Sequence, residues 1–192
     1  MALDAMSDIP DDALLVLFAN GDRAAAHALT VRLTPRILAH AHRLLGDRAE
    51  AEEVAQDAML RLWKIAPEWR QGEAKVTTWL YRVVANLCTD RLRKARAVGL
   101  DAAPEPVDGA LAPDAALQDA ARAEALHAAL ARLPDRQRQA VVLRHLEDLG
   151  NPEIAEIMET SVEAVESLIA RGKRALAADL AGRREELGVV DD

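Results

Sequence analysis

The sequence predicts an all-α protein in which two small helical domains are joined by a flexible linker. Leucine and alanine dominate a composition that is 51% hydrophobic but only 3% aromatic, and no alternating run rich in valine or threonine indicates a β-strand. Glycine and proline fall mostly between blocks of helical period. A length of 192 residues fits one ordinary domain or two small ones, and a stretch rich in proline and acidic residues near the middle favours two.

Two helices are predicted at the start of the chain. A short apolar helix covers Asp11 to Phe18 and ends in the turn Asn20–Asp22, where a glycine follows the asparagine. A longer helix runs from about Asp22 to Leu45. Pro35 lies inside this helix and is expected to kink or split it, and Gly46 ends it.

A third helix follows, and its two faces differ in polarity. Asp47 is placed to cap its first turn and Pro67 to end it. The inner face carries apolar side chains at helical spacing, namely Ala51, Val54, Ala58, Met59 and Leu62. The outer face is polar and carries Gln56, Asp57, Arg61 and Lys64.

The stretch from Val76 to Arg96 predicts a long amphipathic helix with a basic face. Its apolar side chains recur at helical spacing, and they are Leu80, Val83, Val84, Leu87 and Leu92. The other face carries Arg82, Asn86, Thr89, Arg91, Arg93, Lys94 and Arg96, with Asp90 opposing them. Such a face suits a helix that lies along a phosphate backbone. The alternative interpretation is an ordinary solvated helix face.

A loop that contains a tryptophan leads into this basic helix. Trp69 lies in the loop from Glu68 to Lys75, and Trp79 lies in the first turns of the helix. We expect Trp79 to fill the core. Trp69 is a candidate for stacking on an unpaired base, a contact worth roughly 1–3 kcal/mol, with core filling as the alternative interpretation.

Charge is distributed unevenly along the chain. The formal net charge of −8 by itself argues against a nucleic-acid-binding protein. Residues 61–100, however, hold nine basic and three acidic side chains, so positive charge is concentrated around the basic helix.

A change of composition after Arg96 divides the chain. Residues 97–113 contain three prolines and no basic residue, so they are predicted to form an acidic linker between a domain of residues 1–96 and a domain of residues 114–192. A flexible linker would let each domain reach its own site, and its length would bound their separation.

The second domain has the pattern of a helix-turn-helix. Two amphipathic helices are predicted from Asp114 to Leu133 and from Asp135 to Glu147. Two further helices follow, the first capped by Asn151 and the second by Ser161, with basic residues towards the end of the second. A tight turn between two such helices is typical of the helix-turn-helix, and a plain helical hairpin is the alternative.

The residues argue against catalysis and metal binding. Five histidines and one cysteine show no zinc spacing, there is no glycine-rich phosphate loop, and no nucleophile lies beside a plausible base. Cys88 has no partner for an internal disulfide. No apolar run approaches the roughly 18 residues of a membrane span, and the acidic N-terminal positions do not resemble a signal peptide, so we expect a cytoplasmic protein.

Three segments together resemble a known family. They are Ala49–Lys64, Thr77–Lys94 and Leu133–Leu176, and in that order they resemble regions 2 and 4 of an extracytoplasmic-function (ECF) sigma factor. The predicted linker falls where such proteins lack region 3. The resemblance implies a dissociable subunit without a cofactor that directs bacterial RNA polymerase to promoters.

The resemblance also implies roles for residues of the first domain. The helix matching Ala49–Lys64 docks on the clamp of the largest polymerase subunit in that family, which implies polymerase contacts for Gln56, Asp57, Arg61, Leu62 and Trp63. The segment matching Glu68–Arg96 recognises and opens the minus-ten element, a step that traps a base outside the stack. DNA contacts are thereby implied for Trp69, Thr77, Arg82, Asn86, Thr89, Arg91, Arg93 and Lys94. Relatives commonly have an aromatic residue where this chain has Val76, which lowers the stacking expected of the loop.

The second domain is implied to bind the minus-thirty-five element. Glu166, Ser167 and Ala170 are expected to face base edges, and Arg171, Lys173 and Arg174 to hold phosphates. Many relatives have glycine, threonine and a basic residue where this chain has Glu163, Ala164 and Glu166, a difference that should weaken non-specific attraction to DNA. A carboxylate in the major groove can still accept a hydrogen bond from cytosine N4. For Glu163 a charge in the cap region of the helix is an equal alternative.

Regulation by an anti-sigma factor is implied as well. The segment Asn151–Leu176 looks most like alphaproteobacterial members whose anti-sigma partners, of the ChrR type, bind zinc, and the zinc would belong to the partner. Two other classes of protein remain open on the residues alone. One is a two-domain helix-turn-helix regulator that acts without polymerase, and the other is a helical module that binds another protein.

Overall fold

Residues 6–99 and 114–181 are described by a computed structural model, and within these ranges the regular structure is helical, without a β-strand. The predicted all-α class is therefore confirmed. The α-helices in these two ranges are α1 (Asp11–Ala19), α2 (Arg23–Leu45), α3 (Arg48–Ile65), α4 (Val76–Ala97), α5 (Asp114–Ala131), α6 (Asp135–His145), α7 (Asn151–Ile157) and α8 (Val162–Ala181), with a 3₁₀ turn at Ala66–Glu68. Most of the predicted linker, residues 100–113, lies outside the described ranges.

Helix α2 begins and ends at the residues that the sequence predicts as its caps. The Asp22 carboxylate accepts hydrogen bonds from the backbone N–H groups of Ala24 and Ala25, at 2.8 Å for Ala24. Gly46 follows the last turn with φ 73°, in the left-handed region that closes a helix at low cost only for glycine. Between these ends the helix continues through Pro35 and is not split.

Helices α3 and α4 bury faces of different widths. The Asp47 side chain caps α3 through the N–H of Glu50 at 2.9 Å, and the predicted inner stripe of α3 is buried together with Ala55. Helix α4 buries Leu80 and Val84 as predicted. It also buries Thr78 and Tyr81, because its other side packs against α7 of the C-terminal helices.

The C-terminal helices form the predicted helix-turn-helix. Its first helix is α7 and its second is α8, and the Ser161 hydroxyl accepts a hydrogen bond from the N–H of Ala164 at 3.2 Å. Gly150, and not Asn151 as predicted, occupies the cap position of α7, so Asn151 lies in the first turn beside Pro152.

The N-terminal helices α1–α4 and the C-terminal helices α5–α8 pack against each other. Helix α2 contacts α1, α3 and α4 as well as α5 and α6. Leu130 and Val142 join the core built around Leu14 and Leu29, whereas Tyr81 joins the core of α6–α8. Each fully buried leucine contributes about 1.5–3 kcal/mol, so this shared core supplies a substantial attraction between the two helical groups.

Candidate interfaces for DNA and polymerase

The polar face of α4 carries the predicted basic side chains, but most of them have acidic partners. Arg93 is exposed and lies 2.9 Å from Asp90 on the same helix. Arg82 pairs with Glu159, and Arg96 donates to both carboxylate oxygens of Asp135 at 2.7 and 2.8 Å. Asp90 is therefore only one of several carboxylates that meet this face, since α6 and the turn after α7 supply others that the linear pattern did not indicate.

Arg91 is held by α3 and does not project freely into solvent. Its side chain is 25% exposed and pairs with Glu50 and, at 3.0 Å, with Glu53, while Asp57 lies 3.9 Å away. The hydrogen bond to Glu50 raises the pKa of the Arg91 guanidinium above its ordinary value. A phosphate contact by this arginine would have to displace carboxylates of its own domain.

The two tryptophans at the start of α4 contact each other. The rings of Trp69 and Trp79 meet edge to face, with centroids 6.3 Å apart and planes at 86°. Both are partly buried against the core, and the indole N–H of Trp69 is buried without a hydrogen-bond partner among the described residues. Val76, the departure from relatives, is 2% exposed and belongs to the core.

A cleft of about 590 Å³ opens beside this loop. Its walls are formed by the start of α1, the loop Gly72–Lys75 and the first turn of α4, which includes Thr77. Helix α7 forms the remaining wall with Pro152, Glu153 and Glu156. Helix α7 thus lies next to the loop that the family resemblance assigns to the minus-ten element. The exposed residues Asn86, Thr89 and Lys94 lie farther along α4, on its polar face.

The outer face of α3 presents most of the predicted polymerase contacts. Gln56, Asp57 and Arg61 are exposed, and Trp63 is half-buried with its ring 4.7 Å from that of Phe18. The prediction that Leu62 contacts polymerase is wrong, because its side chain is 0% exposed and belongs to the core. Leu60 was not predicted as a surface residue, but its side chain is 53% exposed on this helix. Its position lies outside the helical spacing of the buried stripe, and this spacing could have indicated its exposure.

Helix α8 exposes one polar face along its length. The exposed set contains every residue predicted to contact the minus-thirty-five element, namely Glu166, Ser167, Ala170, Arg171, Lys173 and Arg174. The guanidinium Nε atoms of Arg171 and Arg174 donate to carbonyls of the same helix at 3.2 and 3.3 Å. Hydrogen bonds at the start of the helix, from its own backbone and from Ser161, lower the pKa of Glu163, which fits the cap-region alternative for that residue.

Sequence reasoning missed the polar groups buried between the two helical groups. The Glu147 side chain, 7% exposed, accepts hydrogen bonds from Tyr81 Oη and Arg43 Nη1, each at 2.7 Å, and its Oε1 lies 3.4 Å from His40 Nδ1. His40 is fully buried, and neither ring nitrogen has a hydrogen-bond partner of good geometry among the described residues. Nothing in the linear sequence pairs these four residues.

Arg138 is a second buried polar residue that forms hydrogen bonds between the two helical groups. Its residue exposure is 6%, and burial lowers the pKa of its guanidinium. It donates to the carbonyl of Leu44 in the last turn of α2, and to those of Ala131 and Leu133 at 2.8 and 3.2 Å. A cation suits the negative end of a helix dipole, so Arg138 stabilises both the end of α2 and the packing of α6 on it.

Comparison with known proteins matches both halves of this arrangement. The family model of Sigma-70 region 2 matches residues 29–98, and that of Sigma-70 region 4 matches residues 123–176. The ECF RNA polymerase sigma factor SigW of Bacillus subtilis is 30% identical over 171 residues, which cover 83% of this chain and 91% of SigW.

Two solved structures have the same fold. CnrH in complex with the cytosolic domain of CnrY has a TM-score of 0.66 and 25% identity, with 90% of this chain and 97% of CnrH covered. The sigma factor RpoE in complex with the anti-sigma factor NepR from Bartonella quintana has a TM-score of 0.62 and 20% identity, with 79% and 94% covered, and this likeness concerns the fold alone.

The helical domain with the basic helix and the following helix-turn-helix domain, which match Sigma-70 regions 2 and 4, define the class of sigma-type proteins. Together with the similarity to SigW, they show that the chain belongs to the ECF family of RNA polymerase sigma factors. Below, region 2 denotes residues 6–99, and region 4 denotes residues 114–181. None of the described helices is long and apolar enough to cross a membrane.

Proposed function

We propose that the protein is an alternative sigma factor that binds core RNA polymerase in the cytoplasm and directs it to a particular set of promoters. It acts as an initiation factor and not as a catalyst. The observation that carries the proposal is the presence of two separate polar helix faces, on α4 and α8, in domains that match sigma regions 2 and 4. A promoter has two elements, and each face is assigned one of them.

The outer face of α3 is assigned to the polymerase clamp. Its exposed polar residues Gln56, Asp57 and Arg61 surround the apolar Leu60, an arrangement that fits a desolvated anchor with a polar rim. Trp63 extends the apolar part towards Phe18. The predicted contact through Leu62 is replaced by Leu60 in this proposal.

The polar face of α4 and the loop before it are assigned to the minus-ten element. Arg82, Arg93 and Lys94 would neutralise phosphates, and Asn86 and Thr89 offer hydrogen bonds between them. Thr77 lines the cleft at the start of this helix, where an unstacked base would enter, and Trp69 lies in the loop before the helix. Arg91 can join only after it leaves Glu50 and Glu53.

The exposed face of α8 is assigned to the minus-thirty-five element. Glu166, Ser167 and Ala170 would lie in the major groove, with Arg171, Lys173 and Arg174 on flanking phosphates. Because Glu166 accepts hydrogen bonds only, it favours cytosine N4 among the base edges.

An anti-sigma factor is proposed as the regulatory partner. The support is that a structural neighbour was solved with an anti-sigma factor, and that the helix-turn-helix sequence resembles members with ChrR-type partners. Any zinc would be the partner's, as the resemblance to members with ChrR-type partners implies.

Reconstitution with core polymerase tests the proposal. Purified protein and core enzyme are incubated with a promoter library, and selected templates are scored for open complexes and transcripts. Initiation at a subset of promoters is expected. Absence of initiation at every promoter would refute the proposal, and a footprint on duplex DNA by the isolated chain would favour the regulator that acts without polymerase.

A matched pair of variants tests the α3 surface in the same assay. Arg61→Ala should weaken binding to core polymerase by up to about fivefold, because an exposed ion pair at the rim of an interface contributes about 0.2–1 kcal/mol. Arg48→Ala removes the same charge from an exposed position at the opposite end of the same helix and should have a smaller effect. Equal losses would show that general charge, and not this face, determines core binding.

A further inference from the structure

The side chain of Asn151 does not serve the helix that it begins. The sequence predicts this residue as the cap of α7, but Gly150 occupies the cap position with φ −74° and ψ 151°, and no side chain caps the helix. Away from the cap, asparagine is a poor helix former, because its amide competes for backbone hydrogen bonds. Helix formation therefore does not account for an asparagine at the first position of α7.

The amide of Asn151 reaches from the first helix of the helix-turn-helix to the second. Its Nδ2 donates to Oε1 of Glu166 on α8 at 3.5 Å, whereas its Oδ1 is buried without a hydrogen-bond partner among the described residues. The opposite orientation of the amide would bring Oδ1 against a carboxylate oxygen, and two acceptors repel each other. The Glu166 carboxylate therefore determines which end of the amide faces α8.

Glu166 depends on Asn151 for its orientation. Its side chain is exposed on α8, and of the described residues only Asn151 donates a hydrogen bond to its carboxylate. An exposed glutamate populates many rotamers, and ordering such a side chain on binding lowers affinity by a factor of about 2 to 12. A donor that already holds the carboxylate reduces this loss.

From these contacts we infer that Asn151 is a positioning residue, which holds Glu166 so that its second carboxylate oxygen faces cytosine N4 in the minus-thirty-five element. The inference rests on the proposed function, because it takes α8 as the helix that lies in the major groove. Both oxygens of a carboxylate accept hydrogen bonds. With Oε1 held by Asn151, Oε2 remains for the cytosine amino group, which is a donor on the major-groove edge of its base pair.

The 3.5 Å contact is expected to shorten when α8 enters DNA. In the free protein Glu166 is exposed, so water competes with Asn151 for its carboxylate. The groove removes part of this water, and hydrogen bonds to an ionised acceptor are shorter and stronger than those between neutral groups. Phosphates line the groove, and a carboxylate without a donor beside it would turn away from them towards solvent. Asn151 opposes this movement.

Substitutions of Asn151 in the full-length chain, bound to core polymerase, test the inference. Asn151→Ala removes the amide, and Asn151→Asp keeps its shape but replaces the donor by an acceptor. Aspartate in the first turn of a helix interacts favourably with the helix dipole, so this second variant retains α7. Ala177→Glu is the control, because it adds the same negative charge at an exposed position near the other end of α8.

Base discrimination is measured on a promoter that the wild-type holoenzyme selects from the library. Each position of its minus-thirty-five element is changed in turn, and rates of open-complex formation are compared between cytosine and the other bases. The position that Glu166 reads is the one at which Glu166→Ala removes the preference for cytosine. There, both Asn151 variants should reduce the preference by about threefold or more, since an unordered glutamate binds less tightly by a factor of this order. Ala177→Glu should leave it unchanged.

Each outcome decides the inference. A preference that is reduced at this one position by both Asn151 variants supports it. An unchanged preference overturns it, and so does one that Ala177→Glu reduces as much. A rate lowered equally on every template also overturns it, because a purely structural role of Asn151 would slow all templates alike.

Failure of the proposed function is recognised separately. If the wild type initiates but Glu166→Ala changes no base preference, the inference is overturned while the proposed function stands. If the wild type initiates at no promoter, the proposed function is refuted, and the inference that rests on it is overturned as well.

Discussion

Replacing Glu147 by alanine should destabilise the packing of region 4 on region 2 by about 2–4 kcal/mol. The substitution leaves the Tyr81 hydroxyl, which belongs to a residue only 1% exposed, without its acceptor, at a cost of about 1–3 kcal/mol. It also removes the partner of Arg43, whose side chain is 28% exposed and can turn to water, so this loss adds less than about 1 kcal/mol. The small cavity that remains adds to the total.

Urea unfolding followed by tryptophan fluorescence measures this change. All three tryptophans lie in region 2, so the signal reports the loss of Glu147 only if the two regions stabilise each other. Glu156→Ala, which removes an exposed carboxylate from α7, is the control and should change the free energy of unfolding by less than about 0.5 kcal/mol. A Glu147→Ala variant as stable as this control would refute the reasoning.

A second substitution identifies the cause of the loss. If the orphaned hydroxyl is responsible, the double variant Tyr81→Phe/Glu147→Ala should be no less stable than Glu147→Ala alone, because the unsatisfied group is gone. If the losses in the free energy of unfolding caused by the two single substitutions simply add in the double variant, the carboxylate acts through Arg43 and His40 instead.

Three further predictions concern other parts of the packed structure. Burial raises the pKa of the Cys88 thiol to about 12, and the residue is 1% exposed, so a maleimide at pH 8 should label it only after unfolding. Gly172→Ala would place a Cβ 2.6 Å from a side-chain carbon of α6 and should destabilise the protein by about 1–3 kcal/mol, whereas Gly150→Ala meets only an ordinary contact at 3.7 Å. Burial lowers the pKa of both His42 and His127, whose rings lie 4.7 Å apart between α2 and α5, so stability should be full above pH 6.5 and decrease as the pH falls below it.

The controls for these predictions are simple. Rapid labelling of Cys88 in the folded protein, or equal stability of the two glycine variants, would contradict the packing described for α4 and α8. For the histidine pair, nearby cations add to the effect of burial, since Arg48 and Arg43 also lower the pKa of His42 and outweigh Asp47. Replacement of both histidines by glutamine should reduce the decrease in stability between pH 7 and pH 5.5 to the part contributed by His145, whose pKa burial also lowers. A decrease as large as that of the wild type would assign it to groups other than this pair.

Glu147 gives a separate response at lower pH. Burial raises the pKa of its carboxyl, but His40, Tyr81 and Arg43 lower it by more, so the pKa lies below its ordinary value of 4.5. A carboxylate of this kind stabilises the packed state above pH 4.5, and the contribution is lost as the pH falls through the lowered pKa.

The order and chemistry of the elements could be predicted from the residues. Asp22 and Asp47 cap helices because a carboxylate is the acceptor that the first backbone N–H groups need, and Gly46 ends α2 because its φ is left-handed. The polar faces of α3 and α8 were predictable for a similar reason, since helical spacing alone places their side chains in a row. These are local properties of the chain.

The tertiary structure decided which polar groups meet across the chain. Tyr81 was not part of the predicted apolar stripe of α4, and its burial depends on α6–α8 packing against it. The sequence of α4 likewise predicted a basic face in contact with solvent, whereas in the structure Glu153, Glu159 and Asp135 lie against that side of the helix. The sequence by itself determined the helices, the caps of α2, α3 and α8, and the domain types, because these depend on neighbours within a few residues. Only the packing of region 4 on region 2 brought carboxylates to Arg82 and Arg96, because their partners Glu159 and Asp135 come from distant parts of the chain.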